Sequence, residues 1–423
     1  MATYLKKRID QTVTDAIDAK VRSTVEGIMT DIKKRGDAAV RDLSTQFDKW
    51  SPPSFKLSPS DIEAIMAKVK PETIADIKFA QAQIRNFAQH QRAALKDIEV
   101  ETLPGVKLGH KNIPVDSVGC YVPGGRYPMV ASAHMSIVTA RTAGVRRVIA
   151  CTPPNQGEPH AETIAAMVLA GADEIYVLGG VQAIVAMALG TETIAPVDML
   201  CGPGNAYVAE AKRQLFGRVG IDLLAGPSEV AIIADDTADP EIVAADLLGQ
   251  AEHGPQSPAS LVTTSRSLAD KVIHAVDQQL QTLETEWVAG PAWRDYGTVY
   301  VVDTPQTAVE VMDLLAPEHL EIITSDDDWY YERLKNYGSI FLGPWSTVAY
   351  SDKGSSGTNH VLPTGTGARY SAGLSVSRFL KPLTYQRSEK SATEAIAKYV
   401  DVITEYEGMA AHRATATMRL DRL

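Results

Sequence analysis

The length and composition of the chain limit the number of domains and the classes of function to consider. It has 423 residues, of which 45% are hydrophobic, and a net charge of −11. This is enough for two or three globular domains, and the acidic balance argues against nucleic-acid binding as the main activity. The three cysteines, Cys120, Cys151 and Cys201, form no CxxC pair, which argues against a disulfide framework or a cysteine zinc site. The N-terminus lacks the apolar core of a signal peptide and no 18-residue apolar run occurs, which predicts a cytoplasmic protein with no membrane partner.

Residues 1–112 form a charged, helix-patterned lead-in. Apolar residues recur at spacings of three and four from Val21 to Met29 and from Ile74 to Ile84, which is typical of amphipathic helices. We expect this segment to pack on the domain formed by residues 231–365.

Residues 113–230 alternate between predicted strands and helices. Strands are predicted at 115–122, 148–151, 174–178 and 197–200, with helices at 161–170 and 181–189. This alternation indicates parallel βαβ units. The glycine-containing loops PGG and CGPGN follow two of the strands, where backbone N–H groups can approach a phosphate. Because no GxGxxG occurs, nucleotide binding and simple tight turns both remain open.

The alternation is repeated in residues 231–365, and residues 366–423 form a C-terminal segment. Strands are predicted at 230–234, 260–264 and 298–302, with helices at 267–288 and 308–315. The predicted fold is therefore α/β, with two incomplete, Rossmann-like doubly wound domains and a helical lead-in. The cleft between the two domains is the default site.

A possible metal site begins at the end of a predicted helix that Gly254 and Pro255 stop. Gln250 and His253 are three residues apart and project from one face of that helix, with Asp246 one turn earlier. Two donors do not complete a zinc site, and ordinary helices also place Gln and His at this spacing.

Other candidates for chemistry lie further along the chain. Glu318 and His319 are an adjacent acid and base, and Pro317 makes plausible the irregular backbone that would let both face one cavity. The alternative without catalytic function is that Glu318 and His319 are simply neighbouring residues on the surface. Asp352, in a loop of small polar residues, is a candidate oxygen ligand, and His412 in the last helix is a candidate fourth ligand.

The motifs LAGPSEV, DLLGQAEHGP, LAPEHLEI, GTNHVLPT and EGMAAH, in this order, resemble the histidinol dehydrogenase family over nearly the whole chain. The resemblance implies a zinc-dependent enzyme that uses NAD to oxidise a primary alcohol through an aldehyde to a carboxylate, in two hydride transfers. It places the zinc ligands on Gln250, His253, Asp352 and His412, and the acid/base pair on Glu318 and His319.

The same resemblance implies the remaining site residues. The nucleotide-contacting positions are Tyr121, with the neighbouring Pro123 and Gly124, and Gln182 and Asn205. The positions that line the substrate pocket are Ser228, His360 and Glu407, of which the last two reach the neighbouring subunit's site in an intertwined dimer. The C-terminal helical segment would be exchanged in that homodimer, so that the active sites are shared.

Departures from the family pattern favour an anionic alcohol as substrate. Lys353 stands at the usual tyrosine, Val348 replaces a glutamate, one extra residue separates Asp352 from Gly357, and Arg378 lies in a changed VSRF segment. One carboxylate lost and two cations gained suit a sulfonate, phosphate or carboxylate.

With this pattern the chain looks like the sulfopropanediol 3-dehydrogenase branch of the family, which oxidises 2,3-dihydroxypropane-1-sulfonate to 3-sulfolactate. Oxidation of L-histidinol to L-histidine, oxidation of another alcohol, and a non-catalytic zinc- or nucleotide-binding protein are the alternatives. Arg378 could instead form a structural ion pair at a subunit contact.

Overall fold

The structure, a computed structural model, describes residues 2–9 and 11–423, with the backbone alone at residues 2 and 11–18. The strands are β1 (Ala2–Lys6), β2 (Ile98–Leu103), β3 (Val106–Pro114), β4 (Ser117–Tyr121), β5 (Arg147–Thr152), β6 (Glu174–Val177), β7 (Met199–Cys201), β8 (Gly220–Ile221), β9 (Val230–Ala234), β10 (Ala259–Thr263), β11 (Gly297–Val302), β12 (His319–Ile323), β13 (Ser339–Leu342) and β14 (Leu380–Ser388). The helices are α1 (Gln11–Arg35), α2 (Asp37–Asp48), α3 (Pro59–Met66), α4 (Pro71–Ala94), α5 (Val130–Ala133), α6 (Thr139–Ala143), α7 (Ala161–Ala170), α8 (Gly180–Leu189), α9 (Ala206–Leu215), α10 (Pro240–Ala251), α11 (Arg266–Leu280), α12 (Glu286–Tyr296), α13 (Pro305–Leu315), α14 (Asp327–Tyr331), α15 (Val348–Asp352), α16 (Lys390–Glu407) and α17 (Ala410–Leu420).

The chain forms two compact units. The first comprises Met1–His90 and Val115–Phe379, and the second comprises Gln91–Pro114 and Leu380–Leu423. Both of the larger sheets belong to the first unit.

The first of these sheets has five parallel strands in the order β6-β5-β4-β7-β8. The chain winds outward from β4 through β5 to β6, and then returns to the other side of β4. In open α/β sheets, ligands bind beyond the carboxyl ends of the strands at such a reversal. Because β4 ends at Tyr121 and β7 at Cys201, the PGG and CGPGN loops lie at this point.

The second sheet has the order β1-β11-β10-β9-β12-β13, and its strands are parallel except for β1 at the edge. Strands β9 and β12 are neighbours, with His319 in register with Val230. Glu229 and Glu318 therefore lie side by side, just before the amino ends of these two neighbouring strands. The prediction of an α/β fold with parallel sheets is confirmed.

The first three helices of the lead-in pack differently from the prediction. Helix α1 lies against α8 and α9, α2 against α8, and α3 against α7, so these helices cover the first sheet's helices rather than the 231–365 region. Val25 and Val40 are buried in the same cluster as Ile184 and Val208. Helix α8 is buried at nearly every position and needs an outer layer, which the apolar stripes of α1 and α2 provide. Strand β1, in contrast, joins the second sheet.

The single helix predicted at 267–288 is wrong, because the chain turns between α11 and α12. Two threonines lie at this break, and the Thr285 hydroxyl bonds outside its own helix, whereas the Thr282 hydroxyl bonds back to the end of α11. Thr285 donates to Glu252 Oε2 at 2.8 Å, and Thr282 to the Gln279 carbonyl at 3.4 Å. The periodic apolar residues on both sides had concealed the turn.

The second unit combines an antiparallel sheet, in the order β14-β3-β2, with the paired helices α16 and α17. Arg413 on α17 donates to Asp401 on α16 at 2.6 Å. Residues 98–114 are therefore strands and not part of a helical lead-in, and the C-terminal segment is not wholly helical. Exchange of this segment in a dimer stays a prediction. Within the described chain, no helix combines the length and apolar composition needed to cross a membrane.

Candidate active site

A cavity of about 810 Å³ lies in the first unit, where the carboxyl-end loops of the first sheet meet the amino ends of β9 and β12. Its volume is within the usual range for small-molecule sites. The residues that line it include Tyr121, Pro123, Gly124, Gln182, Asn205, Ser228, His253, Glu318, Asp352 and His360. All five nucleotide-contacting positions suggested by the sequence thus line one cavity, together with several of the proposed catalytic residues.

The loops at the carboxyl edge of the first sheet are held by short-range hydrogen bonds. Asn205 caps α9, because its Oδ1 accepts from the backbone N–H groups of Tyr207 and Val208 at 3.0 and 3.1 Å. The Tyr121 hydroxyl accepts from Gly180 N at 3.0 Å, at the start of α8. Gly202 has φ +115°, and a Cβ there would collide with the Tyr121 carbonyl oxygen.

A buried ion pair sits beneath the CGPGN loop. The Lys212 side chain is 2% exposed and that of Asp222 is fully buried, and the two are in direct contact. Lys212 also donates to the Gly202 carbonyl at 2.9 Å, while Asp222 accepts from the N–H groups of Gly202 and Leu223, both at 2.7 Å. The pair therefore fixes both backbone polar groups of Gly202.

The backbone that leads into the acid/base pair is irregular, but it brings only Glu318 into the cavity lining, whereas both side chains had been expected there. Helix α13 ends at Leu315, and the next residue, Ala316, has φ +46°. His319 then begins β12. This turn directs Glu318 into the cavity and leaves His319 one layer deeper, at 1% exposure and outside the cavity lining.

The contacts of His319 set its tautomer. Its Nδ1 lies 3.0 Å from the Glu229 carbonyl, which can only accept, so Nδ1 carries the proton. Nε2 is buried without a hydrogen-bond partner among the described residues, 3.7 Å from Asp352 Oδ1. Burial lowers the pKa of His319 to about 4, although Asp352 opposes the shift. The imidazole is therefore neutral near pH 7, with a free lone pair on Nε2.

Glu318 is in the opposite electrostatic situation. Its Oε2 accepts from Glu229 N at 2.9 Å and it also accepts a hydrogen bond from Ser228. Burial, assisted by the charges of Glu229 and Asp352, raises the pKa of Glu318 well above its ordinary value. A neutral base and a carboxyl group of raised pKa thus stand side by side, which suits proton transfer.

Three of the four proposed metal ligands lie in this unit. Helix α10 ends at Ala251, earlier than predicted, and His253 N donates to the Gln250 carbonyl at 3.1 Å in one further tight turn. His253 Nε2 is 3.2 Å from Asp352 Oδ2. Gln250 Oε1 is buried without a hydrogen-bond partner among the described residues.

These residues fit a divalent metal such as zinc. Two ligands bound tetrahedrally at zinc's usual distances are about 3.4 Å apart, close to the spacing of the His253 and Asp352 donor atoms. The unpaired oxygen of Gln250 adds a neutral donor of the correct kind. Within the described residues, no group of three or more His, Cys, Asp and Glu side chains could hold a metal ion. Holding a metal ion here would take donors besides His253 and Asp352, and the Gln250 amide oxygen is available as one of them.

The helix that carries Asp352 is supported from behind. Thr347 caps α15 and donates from its Oγ1 to Asp246 Oδ1 at 2.9 Å. Glu321, 1% exposed, accepts from Val348 N at 2.9 Å and shares a hydrogen bond with Asp246. Burial and the Asp246 charge raise the pKa of Glu321 well above its usual range, so that the two acids share a proton. Asp246, one turn before Gln250 on α10, thus supports the site without lining it.

His360 requires a correction to the interpretation from sequence, which had it reaching the neighbouring subunit's site. It lines its own chain's cavity, with Nδ1 donating to the Asp352 carbonyl at 2.9 Å and Nε2 3.1 Å from Ser132 Oγ. Burial lowers the pKa of His360. Ser228 lines the same cavity.

The two cations proposed for substrate binding lie outside the cavity lining. Lys353 is exposed at the end of α15. Arg378 is half-buried and donates to Ser371 Oγ at 2.6 Å and to the Ala372 carbonyl at 2.9 Å. Its partners among the described residues are thus neutral groups, and no carboxylate pairs with it there.

Two further proposed site residues belong to the second unit. Glu407 ends α16, and His412 lies on α17; both are exposed. Their contribution to a neighbouring subunit's site stays a prediction.

Sequence reasoning missed several residues that shape the cavity. Asp48 lines it and accepts from Gln182 Nε2 at 3.0 Å. Arg126 lines it and donates to the His253 carbonyl at 3.1 Å. Arg126 could have been found from its place beside the PGG loop, whereas nothing in the pattern around Asp48 distinguishes it from other helix-ending residues.

Comparison with known proteins agrees with this geometry. The family model described as "Histidinol dehydrogenase" matches residues 11–420, and the chain belongs to this family of oxidoreductases. It is 57% identical to a histidinol dehydrogenase homolog of Shouchella clausii over 100% of this chain and 99% of that protein. It is 46% identical to the sulfopropanediol 3-dehydrogenase of Ruegeria pomeroyi, over 99% of this chain and 96% of that protein. The crystal structure of histidinol dehydrogenase from Elizabethkingia anophelis superposes with a TM-score of 0.89 at 34% identity, covering 99% and 94% of the two chains.

Proposed function

We propose that the chain is a zinc-dependent, NAD-linked dehydrogenase that oxidises 2,3-dihydroxypropane-1-sulfonate to 3-sulfolactate. The observation that carries the reaction class is the grouping of Glu318 and His319 with the His253–Asp352 pair beside the loops of the first sheet. Glu318, His253, Asp352 and a nucleotide-binding edge thereby line one cavity, and His319 lies one layer behind Glu318.

The chain's own residues account for the proton transfers. The free Nε2 of His319 accepts the hydroxyl proton as hydride leaves the alcohol carbon. In the second half-reaction, Glu318 takes a proton from the water that adds to the aldehyde carbon, and the hydrate then loses the second hydride. When bound at Gln250, His253, Asp352 and His412, zinc would supply Lewis-acid polarisation of the substrate oxygen, and NAD+ would accept each hydride. Alcohol, water and two NAD+ give carboxylate, two NADH and three protons.

No cysteine is needed as a nucleophile. Cys120, Cys151 and Cys201 are buried and free. Burial raises the pKa values of the Cys151 and Cys201 thiols, which disfavours the reactive thiolate. We therefore infer that the product carboxylate forms through hydration of the aldehyde and not through a cysteine thioester.

The choice of substrate depends on the relative named sulfopropanediol 3-dehydrogenase. It also depends on Lys353 and Arg378, which would have to reach a bound sulfonate from outside this chain's cavity lining. Arg378 has donors besides those given to Ser371 and Ala372, and a sulfonate accepts from such a fork. L-histidinol is the alternative substrate, because the family model and the solved relative carry that name.

The test is a steady-state assay of NADH absorbance with the zinc-loaded protein. The matched substrates are 2,3-dihydroxypropane-1-sulfonate, glycerol, which lacks the sulfonate, and L-histidinol. We expect kcat/KM for the sulfonate to exceed that for either competitor by about 100-fold or more, because a site built for a polar group rejects analogues that lack it.

Arg378→Ala should lower the sulfonate rate and leave the glycerol rate unchanged. Arg266→Ala, at an exposed arginine of α11, is the matched control and should change neither rate. A preference for L-histidinol would contradict the substrate proposal alone. If no alcohol gave NADH, the result would contradict the proposed dehydrogenase activity and favour a protein that binds zinc or nucleotide without catalysis.

A further inference from the structure

The cavity has a carboxylate at one end that the reaction above does not use. Asp48, the last residue of α2, lines the cavity beside Thr24, Ile28 and Phe47. Its Oδ2 accepts from Gln182 Nε2 at 3.0 Å, whereas Oδ1 accepts no hydrogen bond from the described residues. Asp48 therefore keeps an acceptor available to a ligand.

A series of contacts along the cavity wall connects Asp48 to the reacting groups through several intervening residues. Asp48 binds Gln182 near the start of α8, and the N–H of Gly180, two residues earlier, binds the Tyr121 hydroxyl. The loop after Tyr121 carries Arg126, which donates to the carbonyl of His253, the partner of Asp352. Along this series of contacts, the catalytic residues and Asp48 are therefore at opposite ends.

This order decides which part of a dinucleotide meets Asp48. The ring that accepts hydride must lie at the end with Glu318 and Asp352, so the opposite end receives the adenosine half. The wall there suits adenosine. Phe47 is 55% exposed and lies with Ile28 on the cavity surface, which gives an apolar face for a base.

The chemistry of Asp48 fits a ribose and opposes a phosphate. A carboxylate accepts from the two vicinal hydroxyls of a ribose, as acidic residues do in dinucleotide sites of other folds. It repels a phosphate on the 2′-oxygen. Arg126 is the one arginine or lysine among the described residues of the lining, and it donates to the His253 carbonyl at the catalytic end of this series rather than to Asp48.

We propose that Asp48 binds the hydroxyls of the adenosine ribose and thereby selects NAD+ against NADP+. The inference rests on the proposed function and adds a specificity-determining residue to it. Gln182 positions the carboxylate through its Nε2 donation.

The test compares Asp48→Asn with the wild-type protein by fluorescence titration with NADH and with NADPH. Wild type should bind NADH about 100-fold more tightly than NADPH, and Asp48→Asn should reduce this ratio to about tenfold or less, because the like-charge repulsion is removed. Asp42→Asn, at an exposed aspartate on the same helix, is the matched control and should keep the wild-type ratio.

A second measurement needs no variant. Removing the 2′-hydroxyl from the adenosine ribose of NADH should weaken binding to wild type by about tenfold, since one hydrogen bond to a charged group is lost. Equal binding of NADH and NADPH by wild type, equal binding of the deoxy analogue, or an unchanged ratio in a folded Asp48→Asn protein would overturn the inference while leaving the reaction intact. Binding of neither nucleotide would overturn both this inference and the proposed function.

Discussion

Replacing Lys212 by Met tests whether the buried ion pair supports the CGPGN loop. Methionine keeps the apolar stem but leaves the Asp222 carboxylate buried without its countercharge. Breaking a buried pair in this way costs about 3–5 kcal/mol of unfolding free energy, and two backbone N–H donors remain on Asp222, so we expect about 3 kcal/mol. Loss of the bond to the Gly202 carbonyl should also weaken nucleotide binding.

The assay is urea unfolding followed by tryptophan fluorescence and circular dichroism, with coincidence of the two curves checked because the chain has more than one unit. The double variant Lys212→Met/Asp222→Asn should be about 2 kcal/mol less destabilised than the sum of the single variants, since the charge is removed together with its partner. Lys271→Met, at an exposed lysine of α11, should leave the unfolding midpoint unchanged. Additive single variants, or a loss below about 1 kcal/mol for Lys212→Met, would refute the reasoning.

Three further perturbations concern the reacting groups and their supports. His319→Asn should lower the rate of alcohol oxidation by about 100-fold or more and that of aldehyde oxidation less, whereas Glu318→Gln should do the reverse; equal small losses in stopped-flow assays of both steps would count against the roles assigned. Burial raises the pKa of Glu229 to about 7, so its contribution to stability is complete below the unfolded pKa near 4.5 and is lost as the pH rises through 7. The unfolding free energy of wild type relative to Glu229→Gln should therefore fall by about 3 kcal/mol between pH 4 and pH 8, and a flat difference would show that the carboxyl is not desolvated. Thr347→Val removes the cap of the helix bearing Asp352 and should weaken zinc affinity about 10- to 100-fold in a chelator competition, whereas unchanged affinity would remove Thr347 from the supporting shell.

The sequence predicted local elements well where apolar runs were bounded by turn residues. Strand β9 and helix α7 begin and end where the pattern placed them, because glycine, proline or polar residues flank each run. The helix predicted at 267–288 failed, since the apolar period continues across the turn between α11 and α12.

Packing partners were harder to predict than elements. The apolar stripe of α1 shows that it covers something, but not that it covers α8 and α9. The ladder between β3 and β14 joins residues far apart in sequence, and no local pattern reveals such a pairing.

The candidate site could be predicted only in part, because its residues also come together through contacts between distant segments of the chain. Motifs indicated Glu318 and His319, but only the structure shows that they stand at the amino end of β12, where ligand sites of open sheets are not expected. Asp48 was recognised as a cavity residue only from its hydrogen bond with Gln182, which is distant in sequence. A side chain that acts through such distant contacts leaves no local signature.

The most direct test of the central claim is the stoichiometry of NADH formed from a limiting amount of 2,3-dihydroxypropane-1-sulfonate by the zinc-loaded protein. The account predicts about two molecules of NADH per molecule of alcohol, no formation after metal removal by a chelator, and recovery when zinc is restored. One NADH per alcohol, or full activity in the metal-free protein, would contradict it.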